Sequence, residues 1–567
     1  MEDLLNRQPK LPADIQRILD MPRRTDSDPP DFTEYLKTPQ GTWSLRPIQN
    51  EMLWQASLAK GLLGLVGVGE GKTLASFLMP RVLKAERPLL LIPASMRAQA
   101  QADWVTLSEQ FHLPQHMEMR SYEEISTQPG LLRALKPDLI VADEVHKLKN
   151  PTSTRTRRLS KHFTWCARNK EKIPMFVGLS GSITSTSIKD FWHLAMWSLK
   201  NNTPLPMKWN YMNAWSACLD KGKSSDKKDL STIAPLLVKF GTLDVREAFK
   251  KNLLSAQGVV ISHKTPPPCR LDIYRYKRKV PKVVAEKIQH LNDTWQTPQG
   301  EELDSALALV RLRRQMICGF YYYWDWPSAP DEEWLEARSA WAKACRIFCA
   351  RAPEGLDTPA LLERAIVKFL RKEINARFPK ELVLTYIEWA KQKHKPLPPV
   401  GVKWFSDYFL ASVINWANAQ KDPPLIWYEH TALAQALGQL TGWPIYGTGK
   451  EADEALTQVK TPHIGLISIR SHSQGKNLQA WGNHFIAHPL SDGARWEQLL
   501  GRSHRTGQKR DVVTVTVPTY TEFGVALTSA RDSANYIESS TGLRQRLLSA
   551  DWKNSPHSLL TKKDKSK

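Results

Sequence analysis

The chain has 567 residues, 41% of them hydrophobic and 24% charged, too long for a single hydrophobic core and too apolar for a disordered polymer. Lysine and arginine number 79 against 57 aspartates and glutamates, and the resulting charge of +22 points to a polyanionic partner. No apolar run reaches the roughly 18 to 20 residues that cross a bilayer, and the opening MEDLLNRQPK lacks the order of a secretory signal, so nucleic acid is expected and a membrane is not.

Residues 1–40 are polar and broken by prolines, as in PRRTDSDPPDF, and predict an irregular lead-in. From 41 to 200 helical stretches (LRPIQNEMLWQASLAK, TLASFLMPRVLKA) alternate with short apolar runs (GLLGLVGVG, PLLLIP, DLIVAD, PMFVGLSG). That alternation predicts a parallel sheet covered on both faces. Residues 201–400 are helix-prone, basic and rich in tryptophan. There EELDSALALVRLRRQMICGF carries Leu303, Leu307 and Val310 at helical spacing, and YYYWDWPSAPD ends the pattern. A second α/β series, LIWYEH, ALAQALGQL, HIGLISIR, HFIAHP and DVVTVTV, fills 401–548, and 549–567 ends in a basic tail, KKDKSK.

The six cysteines, Cys166, Cys218, Cys269, Cys318, Cys345 and Cys349, show no CxxC spacing and no nearby histidine pair. They read as reduced, mostly buried thiols of a cytoplasmic protein.

GVGEGKT, Gly67 to Thr73, lies between an apolar run and a helix. A loop so placed can aim backbone N–H groups at phosphate oxygens, with Gly69 and Gly71 allowing close approach. Lys72 would reach the β and γ phosphates and Thr73 would hold Mg2+. The full pattern also asks for glycine where this chain has Val66, and a chance glycine-rich turn is the alternative.

About 70 residues on, IVADEVHKLKN ends an apolar run in adjacent carboxylates. Three readings compete: a polar surface turn, a metal site built on Asp143 and His146, and the corner of a nucleotide hydrolase. In the third, Asp143 positions Mg2+ and Glu144 takes the proton of the attacking water.

In this order the segments resemble the motifs of superfamily two helicases, and among them the Swi/Snf-type double-stranded DNA translocases. GEGKT is similar to that family's GLGKT, and DEVHKLKN to its DEAHRLKN; the extension KLKN is the most discriminating feature. LRPIQ resembles the adenine-reading segment, with Gln49 as the contact. LLLIPASMRAQAQADW resembles a DNA-facing motif, and GLSGSIT the coupling motif, with Ser180 and Ser182 as hydroxyls and Ile183 where proline is usual. SHSQGKNLQAW resembles the interdomain segment, with Gly475, Asn477 and Leu478. QLLGRSHRTGQ matches in register at Gln498, Arg502, Arg505 and Gln508, and LRRQMIC resembles a helical segment before the second unit.

The resemblance implies two RecA-like, doubly wound parallel-sheet domains with a helical insertion between them. It implies ATP and Mg2+ as bound groups, with Arg502 and Arg505 reaching the phosphates and His146 relaying the nucleotide state toward Ser180. It implies a monomeric motor on double-stranded DNA in the minimal form found in bacteria and their phages, whose middle region is open to a protein partner. A strand-separating DNA or RNA helicase shares the same motor. A catalytically inactive nucleic-acid-binding scaffold is the reading of another class, and the intact Lys72, Asp143, Glu144, Arg502 and Arg505 argue against it.

Overall fold

Short runs of leucine, isoleucine and valine form the strands, and in both large sheets every pairing is parallel. The computed structural model describes residues 11–24, 28–67, 69–184, 186–220, 229–262, 269–300, 303, 305–326, 329–353, 355–473 and 475–556. The first sheet comprises β1 (Leu62–Leu65), β2 (Pro88–Ile92), β3 (Glu118–Ser121), β4 (Leu139–Asp143), β5 (Met175–Ser180) and β6 (Val259–Ile261), in the order β3-β2-β4-β5-β1-β6. Successive residues of a strand point to opposite faces, and both faces are buried: Leu89, Leu91, Ile140 and Ala142 enter one core, Leu90, Ile92, Leu139 and Val141 the other.

Next along the chain come β7 (Arg270–Tyr276), β8 (Phe320–Trp324) and β9 (Val400–Trp404), followed by β10 (Leu425–Tyr428), β11 (Ile445–Tyr446) and β12 (Gly465–Ser468). The last strands are β13 (Asn483–Ile486), β14 (Val512–Pro518) and β15 (Asp551–Asn554). The second sheet runs β11-β12-β10-β13-β14-β7-β15, and β8 with β9 forms a separate antiparallel ribbon.

The protein is therefore a mixed α/β chain with two large parallel sheets, and several boundaries differ from those expected. The first unit extends past 200: the helices Trp209–Leu219, Ala234–Phe240 and Val245–Leu254 pack into its core through Trp215, Leu236 and Phe249, and β6 adds an edge strand. Amphipathic helices read alike whether they cover a sheet or form an insertion, and three residues of β6 are too short a signal. The second sheet likewise recruits β7, whose RLDIYRY hides Asp272 between Arg270 and Lys553.

The described part of the lead-in also carries regular structure. Ala13–Asp20 is a helix whose Ile15 and Ile18 are buried in the first core, and Arg17 donates to the carbonyls of Asn201, Thr203 and Leu205 at 2.7–2.8 Å. The segment 549–567, expected as a basic tail, supplies β15, while its final KKDKSK lies outside the described residues. In the middle region, the helix Ala306–Met316 buries Leu309, Leu312 and Met316 and leaves Leu307 59% exposed, so the expected stripe is displaced. FYYYW becomes β8 because Val400–Trp404 pairs with it.

Three further helices, Glu332–Arg351, Pro359–Leu370 and Lys380–Gln392, form a module with its own small core around Trp341, Leu362, Ile366 and Tyr386. All six cysteines are free thiols, five of them buried. Among the described residues no helix is long and apolar enough to cross a membrane.

Candidate functional site

The loop after β1 enters the helix Lys72–Leu83 through Gly69 and Gly71, at φ of +88° and +79°, a region that side chains resist. A Cβ on Gly71 would lie 2.2 Å from Gln49 Nε2, so a side chain there would also displace the end of Gln49. Gln49 donates to Gly71 O at 3.0 Å and accepts from Arg46 N at 2.8 Å, while the Arg46 guanidinium donates to Gly69 O at 2.8 Å. LRPIQ thus buttresses the loop from outside. The Lys72 ammonium is buried and donates to the carbonyls of Val66 and Gly67, each at 3.0 Å. Gly67 N is held by Ser262 Oγ at 3.0 Å, a residue just after β6.

Asp143 ends β4, two strands from β1 in the sheet, and Tyr122 donates to its carbonyl at 2.7 Å. Glu144 follows at φ +56°, a strained conformation that turns its carboxylate back toward His146 and Ser180. His146 Nδ1 lies 3.2 Å from Glu144 Oε2 and 3.0 Å from Ser180 Oγ, and Ser180 Oγ donates to Ser182 O at 2.7 Å. A continuous polar line therefore runs from Glu144 to the end of β5. Ile183 is buried in the first core.

Burial raises the Asp143 carboxyl above its ordinary range, reinforced by Glu144 and opposed by Lys72. Burial also opposes ionisation of Glu144, but the His146 hydrogen bond and the charges of Lys72, His146 and Arg502 outweigh it and hold Glu144 low. The two carboxyls are thus pushed in opposite directions, Asp143 up and Glu144 down.

The segment KLKN is pinned rather than solvated. Arg155 donates to Lys147 O at 2.7 Å, Leu148 O accepts from Thr156 Oγ1 at 3.1 Å, and Lys149 reaches Asp492 of the second unit at 3.8 Å.

From the second unit, Arg502 and Arg505 follow the helix Gly493–Leu500. That helix is anchored by the buried Glu497–Arg546 ion pair, and Arg546 also donates to His504 O at 3.0 Å. Arg502 donates to Gln498 O and Lys476 O at 3.0 and 3.1 Å. Burial lowers its pKa to about 10, and Glu144 across the cleft works against that fall. Arg505 lies over the phosphate-type loop, its Nε 3.4 Å from where a Gly69 Cβ would stand. Gly475 faces Met96 of the first unit, 2.9 Å from its own would-be Cβ to Met96 Cγ.

These groups surround one cavity of about 850 Å³. The structure brings Gln49, Gly69, Gly71, Lys72, Thr73, Asp143, Glu144, Gly475, Asn477, Arg502 and Arg505 to its wall. His146, Ser180, Ser182 and Gln498 stand behind it, Gln498 supporting Arg502 through its carbonyl.

Sequence reasoning did not single out Arg46, Lys476, Tyr122 or Ser262. Arg46 lies within LRPIQ, whereas Tyr122 and Ser262 have no local signature.

No three His, Cys, Asp or Glu residues gather into a metal cage among the described residues. Mg2+ carried by a nucleotide takes only one or two protein oxygens, and Thr73 and Asp143 both line the cavity. The positive-φ glycines, the buried ammonium and the two arginines are equally suited to a polyphosphate. No protein-family model and no curated protein matches the chain.

Proposed function

We propose that this protein is an ATP-driven motor on nucleic acid, a Swi/Snf-type translocase with two RecA-like units that tracks double-stranded DNA without separating its strands. The observation that carries the reading is the composition of the cleft. Gly69–Thr73, Asp143 and Glu144 from one sheet unit meet Arg502 and Arg505 from the other around one cavity.

In this reading the backbone amides of the loop and the first turn of Lys72–Leu83 hold the phosphates. Lys72 exchanges the carbonyls of Val66 and Gly67 for phosphate oxygens. Thr73 and Asp143 would hold Mg2+, which supplies neutralising charge on the phosphates. Glu144, kept ionised, accepts the proton of the attacking water. Arg502 and Arg505 set positive charge against the transferring phosphoryl group, so hydrolysis requires both units together. Loss of that group changes the field at Glu144, and the line through His146 and Ser180 to Ser182 carries the change to the end of β5. The charge of +22 supplies salt-sensitive, sequence-independent affinity for the phosphate backbone.

Phosphate release measured without polymer, with duplex DNA, with single-stranded DNA and with RNA tests the reading. Duplex DNA should stimulate most. Strongest stimulation by single strands or RNA would favour the strand-separating helicase, and absence of turnover in every arm would leave only the scaffold.

A further inference from the structure

The module formed by Glu332–Arg351, Pro359–Leu370 and Lys380–Gln392 carries charge in an uneven way. The helix Pro359–Leu370 turns Leu362 and Ile366 into the module core, and its opposite face presents Arg364, Lys368 and, one turn on, Arg371. The following loop adds Lys372 and Arg377, and Lys380 opens the next helix. All six are exposed. Among the described residues Arg371 pairs loosely with Glu373 at 3.9 Å, and Glu363, the other acid between 359 and 380, is occupied by Lys393 at 2.7 Å.

The neighbouring helix Lys380–Gln392 is different. Its outer face mixes Lys380, Glu381, Glu388 and Lys391, with Lys391 bound to Glu388 at 2.7 Å, as an ordinary solvated face does.

The basic loop is also held in place. Phe378 packs on Phe348 and Phe369 with ring centroids 6.1 and 5.4 Å apart, and Lys372 adopts φ +58°. Arg364, Lys368 and Arg371 thus share one face, with Lys372 and Arg377 in the loop that follows and few acids among them, an arrangement that costs self-repulsion until an anion meets it. Regularly placed cations along a helix and its following loop complement the regularly spaced charges of a nucleic-acid backbone.

We infer that this face, centred on Arg364, Lys368 and Arg371, is a second phosphate-backbone contact for nucleic acid, outside the ATP cleft. It rests on the nucleic-acid reading above and adds the module as a grip. The contact is to phosphates, so it is insensitive to base sequence.

The test is equilibrium binding of a fluorescent duplex by the full chain across a salt series, comparing wild type, Arg364→Gln/Lys368→Gln/Arg371→Gln, and Lys391→Gln from the mixed face. Neutralising three phosphate contacts should reduce the slope of log affinity against log salt by roughly 2 to 3 and weaken binding about tenfold or more. Lys391→Gln and polymer-free ATP turnover should match wild type, which shows that fold and cleft are intact. A triple variant with the wild-type slope overturns the proposal while leaving the motor reading in place, and assigns the face to an acidic protein surface instead. A wild-type chain that binds no duplex, single strand or RNA overturns both.

Discussion

Arg158 and Asp357, 199 residues apart in sequence, form a two-pronged ion pair at 2.9 and 3.1 Å with side chains only 1% and 0% exposed. Arg158 lies on the first-unit helix Thr154–Arg168, and Asp357 lies in the helical module, whose chain leaves and rejoins the second unit. Lys161 donates to Ala352 O at 2.7 Å and Arg157 to Asp357 O at 2.9 Å, so basic side chains of one unit cap the exposed carbonyls of the module. The module is therefore a strap across the two units.

Removing one partner deprives the other buried charge of its counter-ion, which costs about 3–5 kcal/mol. Asp357→Ala should undock the module, and amide exchange in Thr154–Arg168 and Glu332–Arg351 should accelerate accordingly. Arg158→Met/Asp357→Leu should restore much of the protection, because two apolar side chains carry no uncompensated charge. Unchanged exchange in the single variant would mean that the pair does not hold the module.

Glu144→Gln keeps the shape of the buried side chain and removes the proton acceptor. ATP binding should persist, while turnover should fall by about 10²–10⁴. Lys72→Ala should instead lose nucleotide affinity, measured as the dissociation constant of a fluorescent ATP analogue. Wild-type turnover in the first variant, or an unchanged constant in the second, would contradict the assigned roles.

Gly71→Ala tests the geometry of the loop without touching a charged group. The new Cβ would stand 2.2 Å from Gln49 Nε2 at a φ of +79°. Gln49 must move or the loop must deform, so nucleotide affinity should drop while the far-UV spectrum stays the same. An affinity equal to wild type would show that the loop conformation is not required.

Stability should depend on pH through the buried histidines of the second unit. Burial pushes His484 down from 6.5 to about 4 and His488 well below 6.5. A lowered histidine leaves the unfolded chain binding more protons than the folded one, so its contribution is complete above about pH 6.5 and is lost as pH falls toward 4. For His484 alone this amounts to about 3 kcal/mol. Trp427 donates its indole N–H to His484 at 3.2 Å, so tryptophan emission during urea unfolding at pH 7.5, 6 and 5 reports the effect. A flat midpoint across that range would contradict neutral burial.

The strands legible in the sequence are those buried on both faces, because β2, β4, β5 and β10 are continuous apolar runs. The strands that escaped notice are partly exposed, charged or very short: EMRS in β3, RLDIYRY in β7 and VVI in β6. In the site, GEGKT and DEVH stand out because loop and carboxylates follow apolar strands directly. The approach of Arg505 to Gly69 was anticipated only through the resemblance, since no local pattern brings together residues from two units. The docking of the module through Arg158 and Asp357 had no signal at all. Its partners are ordinary charged residues until the fold buries them.

In the motor reading, hydrolysis needs groups from both units in one cleft, a requirement that Arg505→Ala probes. Arg505 belongs to the second unit and overlies Gly69 of the first, and among the described residues it donates no hydrogen bond to the loop Gly67–Thr73. ATP turnover with saturating duplex DNA should fall by about 10²-fold or more in Arg505→Ala, while the dissociation constant for ATP changes far less. Turnover equal to wild type would contradict that requirement.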